Sequence, residues 1–197
     1  MTENSVQPAP APEGGDRLSQ ELLQSVVEVA RAIFGAQASS VFLLDEETDE
    51  LIFQAVAGRG EGALVGRRFP ASGGIAGWVV ASGEAMVVDD LADNPAFDRR
   101  RAESTEYVPD SLMAAPLVHG ERMLGVLEVL DPTVQSRSSL SELDLLALFA
   151  KQAATALRVV AERRQLAGAR GGLDTDGRQT ALYLVGSLQR LLETAPA

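Results

Sequence analysis

Two pairs of strand-like runs do most to limit what this chain can fold into. "SSVFLLD" (39–45) and "LIFQAVAG" (51–58) flank the polar "EETDE", and "SLMAAPLV" (111–118) and "MLGVLEVL" (123–130) flank a tight "HGER" turn. Apolar runs separated by a few polar residues are hairpin patterns, and hairpins build antiparallel sheet. Pro116 cannot donate to a ladder, so it predicts a bulge or an unpaired amide in its strand. A further short strand is expected around Met86–Val88, ending at Asp89-Asp90.

Helical patterns bracket these strands. Leu18, Leu22, Val26, Val29 and Ile33 recur at helical spacing, with Leu23, Val27 and Ala30 widening the stripe. Asp16 can cap this helix and Gly35 can stop it after Phe34. So broad an apolar surface predicts cover by more than one neighbour. A second long helix is expected over 141–166, opened by a Ser141–Asp144 capping box with a Leu140–Leu145 staple. Ala150, Ala153, Ala154 and Ala156 would let a sheet or helix approach it closely. Between the hairpins, "GGIAGWVVASGEAMVVDD" (73–90) predicts a short helix with Ser72 as N-cap and Gly83 as its stop. Gly73, Gly74 and Gly77 suit a tight entry and close packing. Leu91–Pro109 is polar and turn-rich, with one short helix expected after Asn94-Pro95. The order of elements describes an α+β domain around an antiparallel sheet.

The ends differ in composition. Residues 1–15, rich in Pro, Ala, Gly and Glu, read as a disordered leader. The folded domain then spans 16–166, a linker 167–176, and a C-terminal amphipathic helix 177–194. Ala181, Leu184, Val185, Leu188, Leu191 and Leu192 line one face of that helix over 177–193.

Charge and cysteine content exclude several function classes. The formal net charge is -11, with one lysine, Lys151, among 17 basic residues. Nucleic-acid binding and attachment to anionic membranes both rest on basic surface, so neither is expected. There are no cysteines, which removes disulfides, thiolate metal sites and cysteine nucleophiles together. No run is apolar and long enough to span a bilayer, and the N-terminus lacks a signal peptide's basic and apolar regions. A cytoplasmic protein is the expectation.

With these residues in place, the chain resembles the GAF domain family. The resemblance rests on "GGIAGWVVASGEAMVVDD" (73–90), "NPAFD" (94–98), "SLMAAPLVHGERMLGVLEVLD" (111–131) and "LSELDLLALFAKQAATAL" (140–157), in the family's order from about Asp16 to Arg164. It implies a sensory or regulatory module with a central antiparallel, PAS-related sheet. Its N- and C-terminal helices would lie on one face and pair between subunits. A small-molecule pocket would lie on the other face, roofed by Leu91–Pro109. It implies no enzymatic activity and leaves the ligand unnamed. Without cysteine a covalently attached bilin is excluded, as is the cysteine chemistry of members that reduce free methionine sulfoxide. Haem is not expected either. The cyclic-nucleotide signature is matched only at Asn94 and Phe97, with Pro95 where that signature has lysine.

The candidate pocket residues under this resemblance are Trp78, Phe97, Tyr107, Met113, Ala115 and Glu128. Met113 and Ala115 share a strand face by alternation. Trp78 falls at i, i+3, i+4 with Ile75 and Val79, which reads as a core anchor. Glu128 stands among apolar neighbours, so it either reaches a sheet edge or pairs with something polar in the pocket. "GRGEGA" (58–63) fits a loose dinucleotide pattern but opens onto no helix, and reads as a connection. His119, the only histidine, belongs to the hairpin turn; with no second histidine and no cysteine, neither a transition-metal site nor a catalytic triad is expected. Arg99–Arg101 lie among acids, an ordinary charge mixture; an inward arginine would meet a carboxylate or phosphate. Asp89-Asp90 reads as a strand-end turn. The bare N-terminus of the 73–83 helix is a further candidate seat for an anion, with no lysine or recognised signature beside it.

The expectation is a regulatory protein that binds a small molecule and passes the change to its terminal helices. It would be a homodimer through helices 16–34 and 141–166. The alternative is a ligand-free dimerisation or docking module, with a protein partner on helix 177–193.

Overall fold

β1 (Ala38–Asp45) and β2 (Glu50–Gly58) form the first hairpin, and its acidic turn is built by its own side chains. Asp45 Oδ1 accepts the N–H groups of Glu47 and Thr48 at 3.2 and 3.4 Å, an Asx-type turn. The computed structural model describes residues 14–61, 64–95, 97, 102–103, 107–133 and 141–171. The chain divides into two compact units, one ending at Arg158 and one beginning at Val159. The first unit holds the sheet and its flanking helices. The described part of the second is the last stretch of the final helix.

The sheet has six strands in the order β3-β2-β1-β6-β5-β4, every neighbouring pair antiparallel. β4 is Met86–Val88, β5 Leu112–His119 and β6 Arg122–Leu130. β3, Arg68–Pro70, is an edge strand that the sequence pattern does not predict. It is three residues long, and Arg68 ties it down by bridging Asp45 and Glu50, each at 3.0 Å. Pro116 sits where the sheet tolerates it. β4 pairs only with Leu112–Ala114, so among the described residues β5 has no strand neighbour on that side from residue 115 onward.

One extra residue decides which side chains of β2 face which way. Val41 pairs with Ala55 whereas Phe42 pairs with Phe53, leaving Gln54 as a bulge that reverses the alternation. Leu51, Phe53 and Val56 therefore pack on one face, and Ala55 and Ala57 on the other.

Helix α1 (Gly14–Ile33) covers that second face. Leu23, Val26, Val27 and Ala30 are buried there with Met113, Ala115, Leu127 and Val129 of the sheet. Helix α3 (Glu142–Gly171) shares the same core through Leu146, Ala150, Ala153 and Ala154. The capping box forms: Asp144 N–H donates to Ser141 Oγ at 3.1 Å, and the Ser141 hydroxyl to Asp144 Oδ2 at 2.6 Å. Leu140 and helix 177–194 lie outside the described residues, as does the leader up to residue 13. α3 continues to Gly171, through the first five residues of the expected linker. The wider apolar surface of α1 is not covered within the described chain: Leu18 is 52% exposed, and Val29 and Ile33 are each 42% exposed.

Helix α2 (Gly74–Ser82) lies against the opposite face, where Ile75, Ala76 and Val79 are buried with Phe42, Ala114 and Val126. It ends as the sequence predicts, at Gly83, in left-handed backbone with φ 70° and its N–H on Val79 O. It begins differently: the N-cap is Gly73 and not Ser72, and no side chain caps it. A Cβ on Gly77 would stand 2.5 Å from Ala71 O, so the close packing expected of this glycine is present. Trp78 does not anchor the core. It is 40% exposed, on the outer side of α2.

Candidate functional site

The α2 face of the sheet contains a cavity of about 110 Å³. Its floor is sheet: Ser40 and Phe42 of β1, Phe53 and Val56 of β2, Leu112 of β5, Glu128 and Leu130 of β6. The first turn of α2 (Gly74, Ile75, Ala76) forms one wall. Arg59, Leu64, Phe97, Ala102, Tyr107 and Pro109 close it from the connections. Phe42, Phe53 and Phe69 form an aromatic corner, with ring centroids 4.4, 5.2 and 5.8 Å apart. Such tilted and edge-on contacts hold a wall in one shape. Drug-sized ligands occupy roughly 300–1,000 Å³, so this volume suits a smaller, metabolite-sized occupant.

Three of the six residues singled out from sequence line this cavity: Phe97, Tyr107 and Glu128. Met113 and Ala115 do share a face, but it is the α1 face, where both are buried. Their even-numbered neighbours Leu112 and Ala114 take the cavity side. Trp78 is absent from the lining because its side of α2 points away. For Glu128 the sheet order decides between edge and pocket. β6 lies between β1 and β5, so it has no free edge, and Glu128, 9% exposed, lines the cavity.

Polar groups converge on an otherwise apolar space. Ser40 is the cross-strand partner of Glu128, and directly opposed residues project on the same face about 5 Å apart. Ser40 is 4% exposed; among the described residues its hydroxyl has no hydrogen-bond partner, and it lines the cavity. The next residue, Ser39, is spoken for, since its hydroxyl donates to Glu128 O at 2.9 Å.

Asp131, directly after β6, ties the end of the roof to the sheet. It occupies left-handed backbone at φ 48°. Its Oδ1 accepts the N–H groups of Asp110 at 2.9 Å and Ser111 at 2.8 Å, and its Oδ2 accepts the Tyr107 hydroxyl. Its own N–H returns to Ser111 O at 3.0 Å. Burial of the Tyr107 phenol raises its pKa, and the hydrogen bond to Asp131 raises it further. Over the other side of the tyrosine lies Arg59, its guanidinium 5.2 Å from the ring centroid, a cation–π contact. Among the described residues no carboxylate pairs with Arg59.

Three participants were not visible as such from sequence. Arg59 lies inside "GRGEGA", where the glycine spacing is the stronger local signal. Gly58 and Gly60 adopt φ 89° and 82°, and the segment leads to β3, so it is a connection and not a nucleotide loop. Ser40 was hidden in an apolar strand. Asp131 closed the "VLD" motif, and its acceptor role needed the fold to bring Tyr107 beside it. The remaining polar candidates are local. Asp90 Oδ1 accepts Ala92 N–H at 3.0 Å in a strand-end turn, and His119 is half-buried beside Gly120 in the hairpin. Arg99–Arg101 lie outside the described residues. Among the described residues no group of acids or histidine could hold a metal ion, and no helix is long and apolar enough to cross a membrane.

A family model described as GAF domain matches residues 19–157. The second GAF domain of DevS from Mycobacterium smegmatis aligns at 18% identity, covering 75% of this chain and 99% of that one, with a TM-score of 0.60. The GAF domain of PixJ from Thermosynechococcus elongatus, in its blue-light absorbing form, aligns at 14% identity over 81% of this chain and 96% of that one, TM-score 0.61. Free methionine-R-sulfoxide reductase from Neisseria meningitidis, in complex with its substrate, aligns at 21% identity over 80% and 96%, TM-score 0.55. At these identities the likeness concerns the fold, a six-stranded antiparallel sheet with helices on both sides.

Proposed function

Because this chain belongs to the GAF domain family of sensory and regulatory modules, we propose that it is a non-enzymatic regulator that binds a small molecule in the cavity beneath α2. The supporting observation is the cavity's make-up: an apolar chamber onto which a buried serine hydroxyl, a buried carboxylate and an arginine converge. A few polar groups in an apolar cleft is the usual composition of a ligand site. Catalysis has no comparable support. The sulfoxide reductases of this fold share the scaffold, but this chain has no cysteine, and among the described residues no hydrogen-bonded nucleophile–base pair lines the cavity.

Binding acts on the protein only through a difference in affinity between two states. The moving part in this reading is the segment before β5, held at its end by Asp131. Glu128 faces the ligand while Leu127 and Val129, its neighbours on β6, pack under α1, which links cavity to helices. Output runs through α1 and α3 to a second copy of the chain in the cytoplasm. The test compares native and denatured masses of freshly purified protein. A small retained mass, released on denaturation, is expected. If no mass is retained and no metabolite alters melting or amide exchange at 107–111, the reading fails.

A second reading is a ligand-free dimerisation or docking module, and the uncovered stripe of α1 favours it. Leu18, Val29 and Ile33 are exposed and fall within one narrow sector at 100° per residue. Helix 177–193 would add a docking face for another protein. Replacing the three stripe residues by serine should lower the sedimentation mass towards a monomer. Deleting residues 169–197 should leave that mass unchanged if α1 is the interface, and reduce it if the C-terminal segment is.

A further inference from the structure

The cavity meets solvent at one side chain. Among the described residues of its lining most are buried, Gly74, Phe97, Ala102, Tyr107 and Leu130 are half-buried, and Arg59 alone is exposed. Its guanidinium carbon lies 5.2 Å from the centroid of the Tyr107 ring. A side chain from the β2–β3 connection thus meets one from the segment before β5 across the mouth of the cavity. Among the described residues that ring is the only partner of the Arg59 side chain.

The two sides of this contact are held differently. Tyr107 is a fixed post, because its hydroxyl donates to Asp131 Oδ2 and Asp131 is tied to the start of β5 through Ser111 N–H at 2.8 Å. The backbone beneath Arg59 is also fixed. Arg59 N–H donates to Gln37 O at 3.3 Å, Gly58 N–H donates to Glu61 Oε2 at 3.3 Å, and a Cβ on Gly58 would stand 2.3 Å from Gln37 O. What is left to swing is the Arg59 side chain, and exposed side chains change rotamer within picoseconds to nanoseconds.

We propose that Arg59 is the door of the cavity, closed by its cation–π contact with Tyr107 and opened by rotation of that one side chain. The proposal rests on the cavity being a ligand site and assigns the residue that controls admission to it. Exposed cation–π contacts favour the joined state by roughly two- to fivefold. The door is therefore weakly latched, and it opens without disturbing the sheet or α2.

Because the chain has no cysteine, a single introduced thiol reports access. Ser40→Cys places it on the cavity floor, at a position 4% exposed. Val56→Cys, at the cross-strand neighbour in the same lining, serves if the first variant does not fold. Ala115→Cys places a thiol beneath α1, where only opening of the domain exposes it. Alkylation by iodoacetamide, a neutral reagent that an arginine does not attract, is followed by mass at fixed pH. The thiol at position 40 should react more slowly than N-acetylcysteinamide in solution. Arg59→Gln should accelerate it roughly two- to fivefold and leave the rate at position 115 unchanged. Loss of a nearby cation lowers the thiolate fraction, so thiol chemistry alone would move the rate the other way. In Tyr107→Leu, with no ring to hold the cation, Arg59→Gln should add nothing further. A thiol at position 40 that reacts as fast as N-acetylcysteinamide, or is indifferent to Arg59→Gln, overturns the door. So does an acceleration that persists in Tyr107→Leu or is matched at position 115. The ligand site itself stands or falls on the mass retained by the purified protein, so door and site fail separately.

Discussion

Replacing Asp131 by alanine tests whether the end of the roof is fastened to the sheet through one side chain. The carboxylate accepts Ser111 N–H at 2.8 Å, Asp110 N–H at 2.9 Å and the Tyr107 hydroxyl. A hydrogen bond to a charged group contributes about 1.5–3 kcal/mol. Asp110 is exposed, so water replaces most of that bond, which leaves two bonds worth about 3 kcal/mol at the low end of the range. The backbone adds to this, because φ is 48° at this position and alanine there costs about 1 kcal/mol more than aspartate or asparagine. The total is about 4 kcal/mol. For a chain of this length that lowers Tm by about 8–16 °C. Asp131→Asn keeps one oxygen acceptor and the tolerance of left-handed backbone, so it should lose less than half as much. The assay is thermal unfolding by circular dichroism, with amide exchange read at residues 107–111. Wild-type Tm in Asp131→Ala, or unchanged exchange at 107–111, would refute the reasoning.

Three further outcomes follow from the same structure. The ordinary tyrosine pKa is 10.0 and that of Tyr107 is raised. Above about pH 10 the unfolded chain therefore loses a proton that the folded chain keeps. Stability should decline as pH rises from there, Tyr107→Phe should flatten the decline, and absorbance at alkaline pH should show Tyr107 titrating above the ordinary tyrosine range. A Cβ at position 125 would lie 1.9 Å from Phe42 O and 2.9 Å from Leu43 Cα, with backbone on both sides unable to yield. Gly125→Ala should cost about 3 kcal/mol or more, read by urea unfolding; a cost under 1 kcal/mol contradicts the close approach of β1 and β6. Deleting Gln54 should remove the bulge and leave Phe53 and Val56 on the cavity face and Ala55 and Ala57 on the α1 face by simple alternation. Cooperative unfolding should persist, whereas inserting a second residue beside Gln54 should turn Ala55 and Ala57 out of the α1 core and abolish it; the opposite ranking in urea unfolding would contradict the bulge.

Much of this architecture is legible in the chain because it rests on local signals. The hairpins follow from apolar runs around short turns, and the end of α2 from Gly83. The start of α3 follows from Ser141 and Asp144. What escaped depends on placement in three dimensions. β3 is only Arg68–Pro70, too short for a period and held by ion pairs with residues far along the chain. The side chosen by Met113 and Ala115 follows from register, which alternation alone leaves two-fold ambiguous. Trp78 is apolar at helical spacing, yet α2 buries only the sector facing the sheet. For the site, Glu128 was visible because a charge in an apolar strand is anomalous. Ser40, Arg59 and Asp131 were not, since each is ordinary in its local sequence and gains a role only from a partner on another element.

The sheet between cavity and helices also bears on how such a protein can diversify. Ser40 and Glu128 face the cavity, whereas Val41, Leu127 and Val129, adjacent in the chain, belong to the helix core. Neighbouring codons thus serve separate selective demands. The taste of the chamber can be altered one substitution at a time without disturbing the surface on which α1 and α3 rest, and those helices can acquire new partners while the chamber keeps its chemistry.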